Sequence, residues 1–563
     1  MPTCKQCSSA FEVTKEDLAF YEKVSPVFNG KKELIPPPTL CPDCRQQRRL
    51  SWRNERNLYH RKCDLTGRQI ISMYAPESPQ KVYDQEAFWG DQWDPLEYGR
   101  DFDFSRPFFE QFHELFLAVP RISLINKDHE NSEYCNFSIH DKNSYLLFTS
   151  MECEDSFYTN RVLFSKSVCD CSNVEHCELC YEVVDSDRCY HCQYLQNCSN
   201  CFDCFLGYNL RGCRNCFACY GLQNAEYRVG NVQYTKEQYE ALVAKLQKDL
   251  RSVRKSFEAR RAALPRKFMD GINAEDCTGN AIINSKNAQV CYEVIGLHDC
   301  HFVANATELK DCMDVNNDDH SELVYEAVGS ETNSQHCFND ICWFNRDILY
   351  CSLCFHCDHC FGCSSLKHKK YCILNKQYSK EEYEMLVPKI IAHMRSTPYQ
   401  SPDGSGTGQA GEWGEFFPPK FSPFAFNETM AQDFFPLNEV EVLKRGWLWR
   451  NDNERQSYMG PPVTVPDSID ETDDAICEQI LRCSVTGKPY KIVPKELKYY
   501  RQMDISPPKK CFEQRMLERM HLRNPRHLWK RECAKCKKSI QTTYAPERPE
   551  IVYCESCYLA SVY

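Results

Sequence analysis

The chain opens without a basic stretch followed by an apolar core: Met1-Pro2-Thr3-Cys4-Lys5-Gln6-Cys7 carries no secretory signal. No run approaches the roughly 18 apolar residues of a membrane span. Both absences predict a cytoplasmic protein with no membrane partner. There is no P-loop, no GxGxxG after a strand, no HExxH and no GxSxG. His176, His191 and His301 lie among carboxylates and cysteines, and Asp203, Asp311, Asp314, Asp318 and Asp319 are available, but no spacing singles out a catalytic pair. No catalytic residue is therefore assigned. A hydrophobic share of 42% with 13% aromatics excludes a disordered or collagen-like chain. What the sequence has in excess is cysteine, 38 in 563 residues. In a reducing compartment these are metal ligands or buried thiols rather than disulfides.

Eight cysteines form paired knuckles at the two ends. Cys4 and Cys7 with Cys41 and Cys44, and Cys533 and Cys536 with Cys554 and Cys557, each supply four thiolates. Such closed sets leave no open position for water, so they predict structural zinc, two ions or more. The ends also match one another. Arg53-Asn54-x-Arg56-x-Leu58-Tyr59-His60-Arg61-x-Cys63 aligns with Arg523-Asn524-x-Arg526-x-Leu528-Trp529-Lys530-Arg531-x-Cys533. Cys536, Cys554 and Cys557 then fall on Thr66, Asp84 and Ala87, so the second N-terminal ribbon is expected to be metal-free. One module earlier, Cys4 aligns with Cys483, Cys7 has become Thr486, and Cys44 aligns with Cys511. Cys477, Cys483 and Cys511 form a third candidate set lacking a fourth ligand.

Between the ends the cysteines keep a cadence of twelve. Cys177, Cys189, Cys201 and Cys213 form one column, and Cys180, Cys192, Cys204 and Cys216 a second. Upstream the second column continues as Ser132, Ser144, Ser156 and Val168. A short fixed period with small residues in register predicts a β-solenoid, with bends at Asn197, Asn209 and Gly221. Cys216-Phe217-Ala218-Cys219 through Glu237 repeats as Cys360-Phe361-Gly362-Cys363 through Glu381, so a second, more degenerate array follows the first, 144 residues on. Helical spacing over Tyr234–Leu264 and Tyr378–Met394 closes each array. Neighbouring coils sit about 4.8 Å apart, so Cys177, Cys180, Cys189 and Cys192 are candidates for one zinc, and Cys201, Cys204, Cys213 and Cys216 for another. The alternative is that cysteine is small apolar filler; exchange with serine and valine in one column favours filler, because valine cannot bind metal.

The net charge of −11 is partitioned. Residues 129–224 hold 13 acidic and 6 basic residues, residues 273–366 hold 15 and 3, and Lys236 to Lys267 reverses this with 10 basic and 4 acidic. Basic ribbon segments with nearby aromatics make Arg45, Arg48, Arg49, Arg53, Arg56, Arg523, Arg526, Lys530 and Arg531 candidates for nucleic-acid contact. The competing reading packs these cations against the acidic arrays. Residues 88–128 are dense in aromatics and predict a helical cap on the first array.

The expected organisation is a mainly β, multidomain chain. A zinc-ribbon, treble-clef-like pair spans 1–87, the aromatic cap 88–128, the first solenoid 129–233 and a basic helix 234–272. The second solenoid covers 273–377, a helix 378–395, a linker 396–414, an aromatic docking segment 415–470 and a C-terminal ribbon pair 471–563. Cys41-Pro42-x-Cys44-Arg45, Trp52-Arg53-Asn54-Glu55-Arg56, Tyr98-Gly99-Arg100-Asp101-Phe102-Asp103-Phe104 and Tyr544-Ala545-Pro546-Glu547-Arg548-Pro549-Glu550 carry a resemblance. In these strings, and over nearly its whole length, the chain resembles uncharacterised cysteine-rich proteins with zinc ribbons at both ends from candidate phyla radiation bacteria. The resemblance brings no activity with it. Three readings stand: a non-enzymatic zinc scaffold touching RNA, DNA or a ribonucleoprotein; a protein-interaction scaffold with internal basic helices; and a hydrolase on a solenoid face.

Overall fold

In the middle of the chain the spacing of buried residues is three, and this spacing builds the architecture. Cys177, Cys180, Val183 and Ser186 are buried, while Leu179, Glu182, Asp185 and Arg188 adopt φ of 52°, 54°, 48° and 49°. A left-handed corner therefore follows every two extended residues, four corners to each twelve residues. The backbone then meets itself: Lys166 pairs in parallel with Glu178 and Val168 with Cys180, and Ser172 with Val184. Asn197, Asn209 and Gly221 are among the corners, with φ of 55°, 53° and 64°. Bulky residues such as Leu179 are disfavoured in this conformation, but hydrogen bonds to both neighbouring strands hold it. Glu178 N–H donates to Cys189 O at 2.9 Å, and Glu182 N–H to Cys169 O at 3.2 Å.

The computed structural model describes residues 1–399, 411–451 and 463–562. It is mainly β. A 13-stranded sheet begins at Asn126–Lys127 and ends at Val232–Gln233; an 11-stranded sheet runs from Gly271–Glu275 to Lys376–Gln377. Both are parallel apart from their last strand, which turns back antiparallel. The second sheet keeps the same register, with Val303 on Val315 and Val315 on Ala327. Its buried residues share the phase of the first, from Ile282, Ala288 and Cys291 to Cys360, Cys363 and Leu366.

Inside, the space between edges three residues long is filled mostly by cysteine, serine, valine and alanine, with leucine or isoleucine at a minority of positions. Cys180 Sγ donates to Glu178 O at 3.3 Å, two residues back across the corner, and Ser186 Oγ makes the same bond to Val184 O at 2.8 Å. Cysteine and serine are interchangeable there because both satisfy the same carbonyl. After each array the chain enters a helix through a capping box, Thr235 with Gln238 and Ser379 with Glu382. The first helix is broken rather than continuous: Lys236–Leu246 gives way to Leu250–Ala262, which Asp249 caps. The second, Lys380–Ser396, runs through Pro388.

Each ribbon pair touches both arrays. In the N-terminal pair, helix Pro42–Leu50 lies on the second array, while strand Val82–Tyr83 pairs with Arg121–Ile122, the short strand just before the first. In the C-terminal pair, helix Phe512–His521 sends Arg515 and Arg519 onto the first array, and Val552–Tyr553 pairs with Arg266–Lys267 at the start of the second. The aromatic segment is placed differently from expectation. Helix Phe108–Ala118 packs Phe108 against Tyr350 and Phe361 of the second array, not the first, because the broad apolar face there (Phe338, Tyr350, Phe361, Ile373) matches it. Phe426, Met430 and Trp447 dock on Leu50 of the first ribbon helix. Of the expected linker, residues 400–410 lie outside the described residues; Gly411 to Gly414 are buried.

Candidate metal centres and arginine clamps

Cys4 and Cys7 lie in a tight knuckle in which Cys4 N–H donates to Ser9 O and Ser8 N–H to Cys4 O, both at 2.9 Å, with Ser8 at φ 62°. Cys41 is the N-cap of helix Pro42–Leu50 and Cys44 lies in its first turn. The C-terminal set repeats this. Cys533 N–H donates to Lys538 O at 2.8 Å, Lys537 takes φ 64°, and Cys554 immediately precedes helix Glu555–Val562. In each set the four sulfurs lie within 4.8 Å of one another. Cys7 Sγ stands 3.6 Å from Cys41 Sγ, and Cys536 Sγ 3.6 Å from Cys554 Sγ. Four metal–sulfur bonds of about 2.3 Å in a tetrahedron place sulfurs about 3.8 Å apart, so both sets fit. Within each set the thiols share protons: Cys44's hydrogen bond pulls Cys41 down to about 5 while Cys44 itself is pushed up, and Cys533 falls to about 6, burial being outweighed by backbone N–H donors, while Cys557 rises to about 12. Helix N-termini add to the effect. Both sets can hold a metal ion.

The other two ribbons lack a four-thiol set among the described residues. Thr66 Oγ1 donates to Asp84 Oδ2 at 2.9 Å, and Asp84 N–H donates to Cys63 Sγ at 3.3 Å, so a hydrogen-bonded pair occupies the place of three ligands. Thr486 and Cys511 meet at 3.9 Å beside Cys483. The structure does not gather Cys477, Cys483 and Cys511; among the described residues they form no metal-sized group. Cys511 is an N-cap, as Cys41 is, so its counterpart is Cys41 and not Cys44. The ribbon helices then align throughout at one offset of 470 residues.

That offset explains the arginines. Arg45 Nε donates to Asp314 Oδ2 at 2.8 Å, and Arg49 Nη1 pairs with Asp314 at 3.2 Å and Glu326 at 3.0 Å. Arg48 bridges Glu326 at 2.9 Å and Glu415 at 2.5 Å. At the other end Arg515 and Arg519 grip Asp170, Arg519 at 2.7 Å, and Arg519 reaches Glu182 at 3.6 Å. Asp170 and Glu182 lie 144 residues before Asp314 and Glu326. The two clamps are thus the same contact made twice. Burial alone raises a carboxyl's pKa; at Glu326 three arginines reverse that and lower it, while at Asp314 burial prevails and raises it.

These contacts correct the expectation of an exposed phosphate-binding surface. Arg45, Arg48 and Arg49 are buried. Arg53 pairs with Glu55 at 2.6 Å and Arg56 with Asp433 at 2.7 Å. Arg523 pairs with Asp185 at 3.0 Å and, like Arg526, with Glu293. Arg531 donates to Ala545 O at 3.1 Å and Glu550 O at 3.3 Å. Lys530 alone of the nine candidates is exposed. Array carboxylates take the charges of Arg45, Arg48, Arg49, Arg523 and Arg526, and Glu55 and Asp433 those of Arg53 and Arg56, because an unpaired buried arginine costs several kcal/mol.

The array cysteines Cys177, Cys180, Cys189, Cys192, Cys201, Cys204, Cys213 and Cys216 are buried and are not brought together as four-sulfur sets. Their thiols donate to carbonyls instead, Cys192 to Tyr190 O at 3.2 Å and Cys216 to Arg214 O at 3.3 Å. Burial pushes the isolated interior thiol of Cys135 up to about 12, whereas within the cysteine columns neighbouring thiols hydrogen-bond and split, Cys177 and Cys192 shifting down and Cys180 and Cys189 up. One group went unseen in the sequence: Asp347, Asp358 and His359 converge, because Asp347 and Asp358 stand near one another on adjacent strands. Arg346 at 3.3 Å from Asp347 and Lys370 at 3.2 Å from Asp358 already neutralise them. Among the described residues no helix is long and apolar enough to cross a membrane. No protein-family model matches the chain, and a search of curated proteins finds no match.

Proposed function

We propose that this chain is a non-enzymatic scaffold in which two ribbon pairs, each with one structural zinc, clamp two twelve-residue β-solenoids into one body. The observation that carries it is the doubled clamp: Arg45 and Arg49 on Asp314 and Glu326, Arg515 and Arg519 on Asp170 and Glu182. Zinc suits four thiolates in a closed tetrahedral set. In each solenoid one coil is four edges of three residues, filled by cysteine, serine and valine. The basic ribbon helices are internal in this reading, so partners meet the remaining surface. Elemental analysis of the purified protein tests it: two zinc ions per chain are expected, and fewer than two contradict the ribbon assignment.

A second reading keeps nucleic acid as a partner but moves the contact. Lys245, Lys248, Arg251, Lys255 and Arg260 are exposed on the two helices that follow the first array, and among the described residues no array carboxylate pairs with them. A gel shift with total cellular RNA that weakens steeply with salt supports this; no shift at low salt removes it. The resemblance to ribbon-bounded bacterial proteins fits either reading and selects neither.

A further inference from the structure

In the N-terminal half the four-thiol set and the clamp share one element. Cys41 caps helix Pro42–Leu50 and Cys44 lies in its first turn, and the same helix carries Arg45, Arg48 and Arg49 to Asp314 and Glu326. In the C-terminal half the two are separate. The clamp helix Phe512–His521 starts at Cys511, in the ribbon without a four-thiol set. Cys554 precedes a different helix, Glu555–Val562, which holds no arginine or lysine. That helix meets Lys267 through Glu555 at 2.8 Å, and Asn209 Nδ2 donates to its Tyr558 Oη at 2.8 Å.

Each set also presents one cysteine to solvent. Cys7 is exposed while Cys4, Cys41 and Cys44 are buried, and Cys536 is exposed while Cys533 and Cys554 are buried. The exposed cysteine has a second sulfur at hand, Cys41 Sγ at 3.6 Å from Cys7 Sγ and Cys554 Sγ at 3.6 Å from Cys536 Sγ. Closing that gap to an S–S bond of about 2 Å takes a shift of about 1.5 Å. Little besides the thiols resists it at the first knuckle. Lys5 N–H donates to Thr39 O at 3.2 Å and Gln6 Nε2 to Gln47 Oε1 at 2.6 Å. The apolar cluster there is Phe11 and Leu40 with three of the cysteines, and Val13 at its edge, too small a core to hold a ribbon without its metal.

We infer that the N-terminal four-thiol set is a peroxide-sensitive latch on its arginine clamp, and that the C-terminal set, open to the same chemistry, leaves its clamp seated. The inference rests on the zinc reading proposed above. The Cys7 thiolate attacks hydrogen peroxide, breaking the O–O bond to give a sulfenic acid and hydroxide. The Cys41 thiolate then displaces the second hydroxide as the S–S bond forms. The two sulfurs give up two electrons, and the two hydroxides take two protons to become water. Cys4 and Cys44 remain as two ligands of four, and the site loses its ion. Helix Pro42–Leu50 is then unanchored at its N-terminus, and Arg45, Arg48 and Arg49 part more often from Asp314 and Glu326. Oxidation of Cys536 and Cys554 instead frees helix Glu555–Val562, while Arg515 and Arg519 stay on Asp170.

The test treats the zinc-loaded full chain with hydrogen peroxide. It follows zinc release with a colorimetric chelator, locates disulfides by peptide mapping, and measures amide hydrogen exchange in the two clamp helices. Expected are release of both ions, disulfides Cys7–Cys41 and Cys536–Cys554, and exchange in Pro42–Leu50 at least about tenfold faster, with Phe512–His521 within about twofold of the untreated protein. Stripping zinc with a strong chelator and no oxidant should give the same exchange pattern, which separates metal loss from oxidation elsewhere. Excess dithiol with added zinc should reverse both. Fewer than two ions before treatment would overturn the zinc reading and this inference with it. With two ions present, the inference alone falls if peroxide leaves the N-terminal ion in place, if the disulfides formed leave out Cys7, or if exchange is unchanged in Pro42–Leu50 or rises equally in both helices.

Discussion

The two halves of the molecule make the same arginine clamp and differ in where the four-thiol set lies and in what fills the interior. The clamp arginines stand four apart on each ribbon helix, and the carboxylates they grip stand twelve apart on each array. The four-thiol set lies elsewhere: in the first ribbon of the N-terminal pair, but in the last ribbon of the C-terminal pair. The interior differs too. Both arrays are lined with cysteine, but the second also carries an internal asparagine ladder, in which Asn333 donates to Cys342 O at 2.8 Å and Asn345 to Cys354 O at 3.0 Å. A knuckle can lose its metal when a threonine and an aspartate bond across it, and an interior column can change residue while a carbonyl stays satisfied. The clamp arginines, by contrast, keep array carboxylates as partners on both sides. The difference teaches which contacts organise the duplication.

The comparison breaks most completely at the metal. Cys44→Ser or Cys554→Ser should each remove one zinc of two, and with it binding energy on the order of 10 kcal/mol that is coupled to folding of that ribbon. Cys63→Ser should leave the zinc count at two. Elemental analysis with limited proteolysis separates these outcomes; a lost zinc in the Cys63 variant would refute the metal-free assignment. Next come the clamps. Asp314→Ala and Asp170→Ala each leave two arginines without their shared carboxylate and should cost about 3–5 kcal/mol by denaturant unfolding. Equal costs support equivalence of the two clamps. A cost under about 1 kcal/mol on either side would show that clamp to be incidental.

Much of this was legible in the sequence, but not the part that explains it. The period of twelve is visible because cysteine is conspicuous; the period of three is not, since serine, valine, leucine and threonine share the remaining inward positions and hide the pattern. Read as one class, Cys177, Cys180, Val183 and Ser186 show it. The basic ribbon segments were visible, but their burial was not, because Arg45 and Asp314 are separated by 269 residues. The signal was nonetheless present in the repeat offsets. Asp170 and Glu182 recur 144 residues later as Asp314 and Glu326, and Arg45, Arg49 and Arg53 recur 470 residues later as Arg515, Arg519 and Arg523. Placing Cys511 against Cys44 instead of Cys41 shifted the helix by three residues and concealed that match.

A smaller effect sharpens the contrast between interiors. Asp318 faces into the second array where the first has Val174. Burial raises its carboxyl to about 8, against a hydrogen bond from Ser321 Oγ at 2.8 Å. An acid whose folded pKa is raised is neutral in the fold but ionised once unfolded above its ordinary value near 3.8. Stability should therefore decline as pH rises from about 4 toward 8. Asp318→Asn should flatten that limb in urea titrations across this range. Glu293 runs the other way: burial raises it, Arg523 and Arg526 more than reverse this, and it lies at about 2. Its contribution is present above pH 4.5 and lost as pH falls toward 2, a limb that Glu293→Gln should remove.

The smallest effect tests whether array cysteine is filler or ligand. Cys189 Sγ donates to Asp187 O at 3.5 Å, and Ser186, in another inward column of the same array, makes the shorter equivalent bond. Cys189→Ser keeps both the donor and the approximate volume, so it should cost about 1 kcal/mol or less and leave the zinc count unchanged. Cys189→Leu keeps apolarity but overfills the space between three-residue edges, and should cost more, about 1–3 kcal/mol. A metal ligand would show the opposite signature: serine and leucine would be equally damaging, and both would lower the metal content. The order of the two substitutions, rather than the size of either, therefore decides what the cysteines of the arrays are for.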